Sequence, residues 1–135
     1  MSDAARQLIQ RYYEAFNAGD METFLGLLTE DVVHDINQGQ RETGREAFRV
    51  FMQRMNRNYS EQIVDIVVMS EASGTRVAAE FTVLGRYLAT DEGLPPARNQ
   101  MYRLPAGAFF ETRGSRVARV TNYYNLKDWL AQVGG

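Results

Sequence analysis

The sequence predicts an α+β domain in which helices come first and a meandering antiparallel sheet follows. Three observations carry this. Apolar residues recur at helical spacing up to Asn56–Asn58, and the period then changes from 3.6 to 2. Glycine-bearing turns at Ser73-Gly74 and Arg113-Gly114 separate long alternating runs. Helices followed by strands, without βαβ alternation, indicate α+β rather than a parallel sheet. With 135 residues and no composition break, repeat or linker, residues 1–135 form one domain.

The first helix is expected over residues 3–17, with Leu8, Ile9, Tyr12 and Phe16 on its apolar stripe. Gly19 suits the left-handed position that ends it. Asp20 caps a short second helix bearing Phe24, Leu25, Leu27 and Leu28. A strand over 32–36 follows, and Asn37-Gln38-Gly39-Gln40 turns the chain. Thr43-Gly44-Arg45-Glu46 reads as a capping box, Thr43 accepting from the Glu46 amide. It opens a third helix with Phe48, Phe51, Met52 and Met55 on one side.

Long strands are expected over 61–69, 76–87, 100–111 and 116–125, and a last helix over 126–133. The segment 88–99 contains Gly93, Pro95 and Pro96 and is read as a long non-helical excursion. A sheet bent around helices leaves a conical cavity between the two layers. Tyr12 sharpens this, because a phenol on a buried helix face either meets a hydrogen-bond partner or points into a cavity.

Composition excludes several function classes. There is no cysteine, which removes disulfides, thiol catalysis and cysteine-ligated zinc. One histidine and scattered carboxylates show no metal-ligand spacing, so no metal and no cofactor are expected. The net charge of −2 and the scattered basic residues argue against nucleic acid. The polar amino end, and the lack of any apolar run near the ~18 residues of a membrane helix, predict a cytoplasmic chain with no membrane partner.

The residues resemble those of the ketosteroid isomerase-like, or SnoaL-like, branch of the NTF2-like superfamily. The Gln10-Arg11-Tyr12 helix, Asn17-Ala18-Gly19-Asp20, Glu30-Asp31-Val32-Val33, Thr43-Gly44, Glu80-Phe81-Thr82-Val83 and Arg116-Val117-Ala118-Arg119-Val120 carry the likeness. It spans about residues 5–125. The resemblance implies a strongly bent antiparallel sheet wrapped around three N-terminal helices, with a short C-terminal helix. The fold alone does not choose among the isomerases, hydrolases, binders and adaptors built on it.

What the resemblance implies about the site is specific. Tyr12 matches a phenol that donates to a substrate oxyanion. The catalytic base falls at Asp35. The residues themselves offer His34, the only histidine, as the alternative proton carrier; on a strand the two point to opposite faces, so only one can face the pocket. The third position, a neutral carboxylic acid, falls on Gly107 and is missing. Loss of one such donor typically costs about 10²–10³ in rate. Asn122, on one face of the last strand with Tyr124, could supply a substitute donor.

The same register puts Val77, Ala79, Phe81, Val83 and Gly85 on the concave sheet face, together with Met101, Arg103, Pro105, Gly107 and Phe109. Arg103 would then sit at the rim, pairing with a substrate carboxylate, Asp35 or Glu111. Phe16, Phe24, Phe48, Met52, Tyr124 and Trp129 complete the expected substrate-binding wall. Glu80, Thr82, Leu84 and Arg86 face the convex side, where a homodimer would form. Three functions follow: a cofactor-independent acid/base enzyme (isomerase, dehydratase or epoxide-hydrolase type) acting on a small apolar molecule, a non-catalytic binder of such a molecule, or a dimeric adaptor.

Overall fold

A computed structural model describes residues 2–36 and 39–134. Its elements are α1 (Ser2–Ala18), α2 (Met21–Gly26), β1 (Leu28–Ile36), β2 (Gln40–Thr43), α3 (Arg45–Asn58), β3 (Tyr59–Ser70), β4 (Arg76–Tyr87), β5 (Gln100–Arg113), β6 (Arg116–Tyr124) and α4 (Leu126–Val133). One bent six-stranded sheet has the order β2-β1-β6-β5-β4-β3. Its concave face packs on α1, α2 and α3, and the core runs through Leu8, Ile9, Phe24, Phe48, Val77, Phe110 and Val120.

Local chemistry explains the helix boundaries. Gly19 takes a φ of 70°, the left-handed geometry expected at the end of α1. The Asp20 carboxylate accepts from the Thr23 amide at 3.2 Å and caps α2. Asn17 clasps α1 to the sheet: its Nδ2 donates to the Ile63 carbonyl at 2.9 Å, and its Oδ1 accepts from the Ile63 amide at 2.8 Å. The Asn-Ala-Gly-Asp corner is therefore both a stop signal and a tertiary tie. Asn125 caps α4 by accepting from the Asp128 amide at 3.1 Å.

Several expectations are corrected. Leu27 and Leu28 lie beyond α2, and β1 begins at Leu28 rather than at Val32. A short strand, β2, follows the turn; Asn37 and Gln38 of that turn lie outside the described residues. The capping box does not form. Thr43 ends β2 in pairing with Val33, and Gly44 takes the N-cap position at φ 107° without a side-chain cap. Glu46 pairs with Arg49 instead. The sheet is antiparallel except at one place, where β1 runs parallel to β6.

The segment 88–99 is a wall rather than a free excursion. Tyr87 anchors it, donating its phenol to the Pro95 carbonyl at 2.6 Å while accepting the Asp91 amide at 3.0 Å. The Thr90 hydroxyl accepts from the Ala97 amide at 2.9 Å. α4 covers the stretch of β5 that β6 leaves unpaired. Gln132 brackets Arg103, accepting from its amide at 2.9 Å and donating to its carbonyl at 2.8 Å.

Candidate functional site

The helices and the concave sheet face enclose a cavity of about 560 Å³, within the usual range for small-molecule sites. α1 contributes Tyr12, Tyr13 and Phe16; α2 contributes Phe24; α3 contributes Phe48, Phe51 and Met52. From the sheet come His34, Glu61, Phe81, Val83, Asn122 and Tyr124, and α4 adds Trp129. The wall is aromatic and nearly continuous. Tyr12 and Phe24 lie 4.6 Å apart between ring centroids, Phe24 and Phe48 5.7 Å, and Phe48 and His34 4.1 Å.

His34 is the polar group most tightly held there. Only 2% of it is exposed. Its ring stacks on Phe48 at 12° and meets Phe51 edge-on at 4.7 Å. Nδ1 is buried without a hydrogen-bond partner among the described residues. Burial holds the imidazole pKa down at about 4, against a smaller upward pull from Asp35. The ring is therefore neutral at physiological pH.

Asp35 is not in the cavity, which overturns its assignment as the base. The strand alternation that turns His34 inward turns Asp35 outward. There its carboxylate accepts from Arg41 at 2.6 and 3.1 Å and from the Thr121 hydroxyl at 2.6 Å. These bonds, led by Arg41, hold its pKa below the ordinary carboxylate value. Arg119 extends the network by donating to Thr121 and to Glu111, each at 2.6 Å. Asp35 is a member of a surface ion-pair network.

Tyr12 lines the cavity, and burial pushes its phenol pKa up, keeping the proton on oxygen. It has no hydrogen-bond partner in the protein among the described residues. Tyr13 is also turned inward between Phe81 and Phe110, its hydroxyl buried and without a hydrogen-bond partner among the described residues. Asn122 reaches the cavity from β6, opposite Ala108. Phe16, Phe24, Phe48, Met52, Phe81, Val83, Tyr124 and Trp129 all line it.

The expected register of β5 is wrong by one residue. Tyr102, Leu104, Ala106, Ala108 and Phe110 point inward, while Met101, Arg103 and Phe109 lie on the convex side and do not touch the cavity. Gly107 pairs with exposed Glu80, so its contribution to the lining is backbone alone. The inward residues of β5 carry no carboxyl group, so the third position of the steroid isomerase constellation is missing in this register too.

One functional candidate escaped the sequence reading. Glu61 sits on the inward face of β3 between Tyr59 and Ile63, in line across the sheet with Gly85 and Tyr102. The Tyr102 ring lies over Gly85 and its phenol donates to Glu61 Oε2. Burial raises the Glu61 pKa, partly offset by that hydrogen bond. Parity alone did not single it out, because Asp65 shares it; a bulge between Val64 and Val67 turns Asp65 outward and leaves Glu61 facing in. Among the described residues no group of three histidine, aspartate or glutamate side chains is placed to hold a metal.

Comparison with known proteins fits this architecture. The SnoaL-like domain model matches residues 9–120, and the chain belongs to that family within the NTF2-like superfamily. Three solved structures are similar over nearly their whole length. A candidate polyketide cyclase from Pseudomonas putida is 62% identical, with 96% of this chain and 97% of that one covered and a TM-score of 0.94. One from Xanthomonas campestris is 57% identical, with 97% of each chain covered and a TM-score of 0.94. One from Silicibacter is 49% identical, with 98% and 96% covered and a TM-score of 0.95. No curated protein matches the chain. Family and cavity together support a small-molecule, enzyme-like function. No helix among the described residues is long and apolar enough to cross a membrane.

Proposed function

We propose that this protein is a cofactor-independent enzyme that moves a proton on an apolar, enolisable molecule of polyketide type. His34 takes the proton from carbon, and Tyr12 and Asn122 donate to the substrate oxygen. The observation that carries this is a neutral imidazole, buried among aromatic rings, with a ring nitrogen that has no hydrogen-bond partner among the described residues. An imidazolium is disfavoured in this cavity by itself. Beside a forming enolate oxygen it gains an opposite charge in a low-dielectric site, so protonating His34 and building the oxyanion favour each other.

The probe is 2-tetralone, a bicyclic ketone with exchangeable α-protons, followed by NMR in D2O. The wild type accelerates deuterium uptake over buffer. His34→Gln lowers that acceleration at least a hundredfold, and Tyr12→Phe about 10²-fold if its phenol is the main oxyanion donor. Binding of tetralone without faster uptake in the wild type would refute the enzymatic reading. That result is the signature of the second reading, a binding protein for an apolar metabolite, which the carboxyl-free inward face of β5 favours.

We further propose a homodimer through the convex face of β4, β5 and β6. Met101 is 70% exposed there, Tyr123 55% and Phe109 51%, with Phe109 and Tyr123 in edge contact at 5.6 Å. Several large apolar side chains exposed on one sheet face support a covered surface there.

A further inference from the structure

β1, which carries His34, and β3, which carries Glu61, lie toward opposite edges of the sheet. The cavity therefore has a second polar region at the β3 edge. Two carboxylates and their phenol partners form it. Tyr102 donates to Glu61, and Tyr59 donates to Asp91 at 2.9 Å. Glu61, Asp91, Tyr59 and Tyr124 all line the cavity.

The donor and acceptor inventory of the two carboxylates and their two phenol partners is one-sided. A phenol has a single O–H to give, and Tyr59 and Tyr102 have each spent theirs on a carboxylate. What remains toward the cavity from these groups is acceptor oxygen. Neither Glu61 nor Asp91 has an ion-pair partner among the described residues. The adjoining walls are aromatic faces and edges. Trp129 meets Tyr59 at 6.1 Å and Tyr102 at 6.0 Å, and Tyr59 stacks on Tyr87 at 5.4 Å. Negative charge, spare acceptors and π-faces around one volume are what an organic cation requires, and a cation also relieves the cost of a carboxylate held away from water.

We infer that this end of the cavity is a cation subsite, taking an ammonium or alkylammonium group on the substrate's apolar frame between Glu61 and Asp91 and against Tyr59, Tyr124 and Trp129. The inference rests on the reading of the cavity as a substrate site and adds a substrate class to it: an apolar molecule bearing a basic nitrogen.

Benzylamine, cationic at pH 7.5, and benzyl alcohol, its neutral counterpart, are the probes, titrated into the full chain by NMR. Benzylamine binds at least tenfold more tightly than benzyl alcohol. Glu61→Gln, which keeps shape and removes charge, reduces this preference to twofold or less, and Asp91→Asn reduces it in part. Benzyl alcohol binding that persists in both variants shows that the cavity is still folded. Equal binding of the two probes by the wild type overturns the inference. So does an unchanged preference in Glu61→Gln, and so does no binding of either probe. Neither probe carries an enolisable proton. The titration therefore reads the subsite independently of whether His34 exchanges tetralone.

Discussion

At the scale of single residues, His34 and Asp35 show how one step along a strand separates a cavity-lining group from a surface one. Both are titratable and they are neighbours, yet one is stacked on Phe48 and the other is bound by Arg41. Their effects on stability have a definite sign. The folded-state pKa of His34 lies at about 4, below its ordinary 6.5. Between those values the unfolded chain binds a proton that the folded chain resists, so stability falls as pH drops from about 6.5 to about 4. The full loss from this residue is at most about 3 kcal/mol. Urea unfolding at pH 7.5 and pH 5 measures it. The wild type loses stability over that interval, and His34→Gln loses less; equal losses would show that the imidazole is not buried as described. Glu61 works in the opposite sense. Its folded pKa is raised, so the stability it contributes in protonated form is lost as pH rises from about 4.5 through its folded pKa.

At the scale of elements, β4 and β5 are matched through an absence. Gly85 pairs with Tyr102, and a Cβ at Gly85 would come within 2.1 Å of the Tyr102 ring carbon Cζ. The glycine is there because an aromatic ring crosses it to reach Glu61. Gly85→Ala forces that ring aside and costs about 1–3 kcal/mol, the usual penalty of overpacking. Thermal unfolding reads this as a midpoint lowered by several degrees; an unchanged midpoint would mean that Tyr102 has another place to lie. β5 also shows where periodicity misleads. Met101 and Phe109 are apolar but outward, while Ala106 and Ala108 are inward and small. Both faces of the strand thus carry apolar residues, and the alternation alone does not identify the buried one. Since a one-residue slip exchanges every side chain between faces, Arg103 and Phe109, expected in the cavity, lie outside it. The sequence signals that favoured the observed face were Arg103 and Glu111, polar residues of the outward parity.

At the scale of the whole molecule, the sheet has one face committed to the cavity and one carrying exposed apolar side chains. The proposed dimer predicts two chains per particle by light scattering at micromolar concentration. Phe109→Glu puts a charge into the covered face and gives a monomer, with the cavity intact because Phe109 does not line it. A wild-type monomer would leave the patch for some other partner.

Local sequence was enough to set the α+β class, the order of helices and strands apart from β2, and most of the aromatic side chains that line the cavity. These depend on local periodicity, on turn residues such as Gly19 and Gly74, and on caps such as Asp20, all of which act within a few residues of chain. Which groups meet depends on long-range packing. It turned His34 inward and sent Asp35 to Arg41, replaced the Thr43 cap with a strand pairing, ran β1 parallel to β6, and joined Glu61 to Tyr102 across 41 positions of sequence. Register and cross-strand partnership are set by contacts between distant segments. A single strand with two apolar faces does not contain that information.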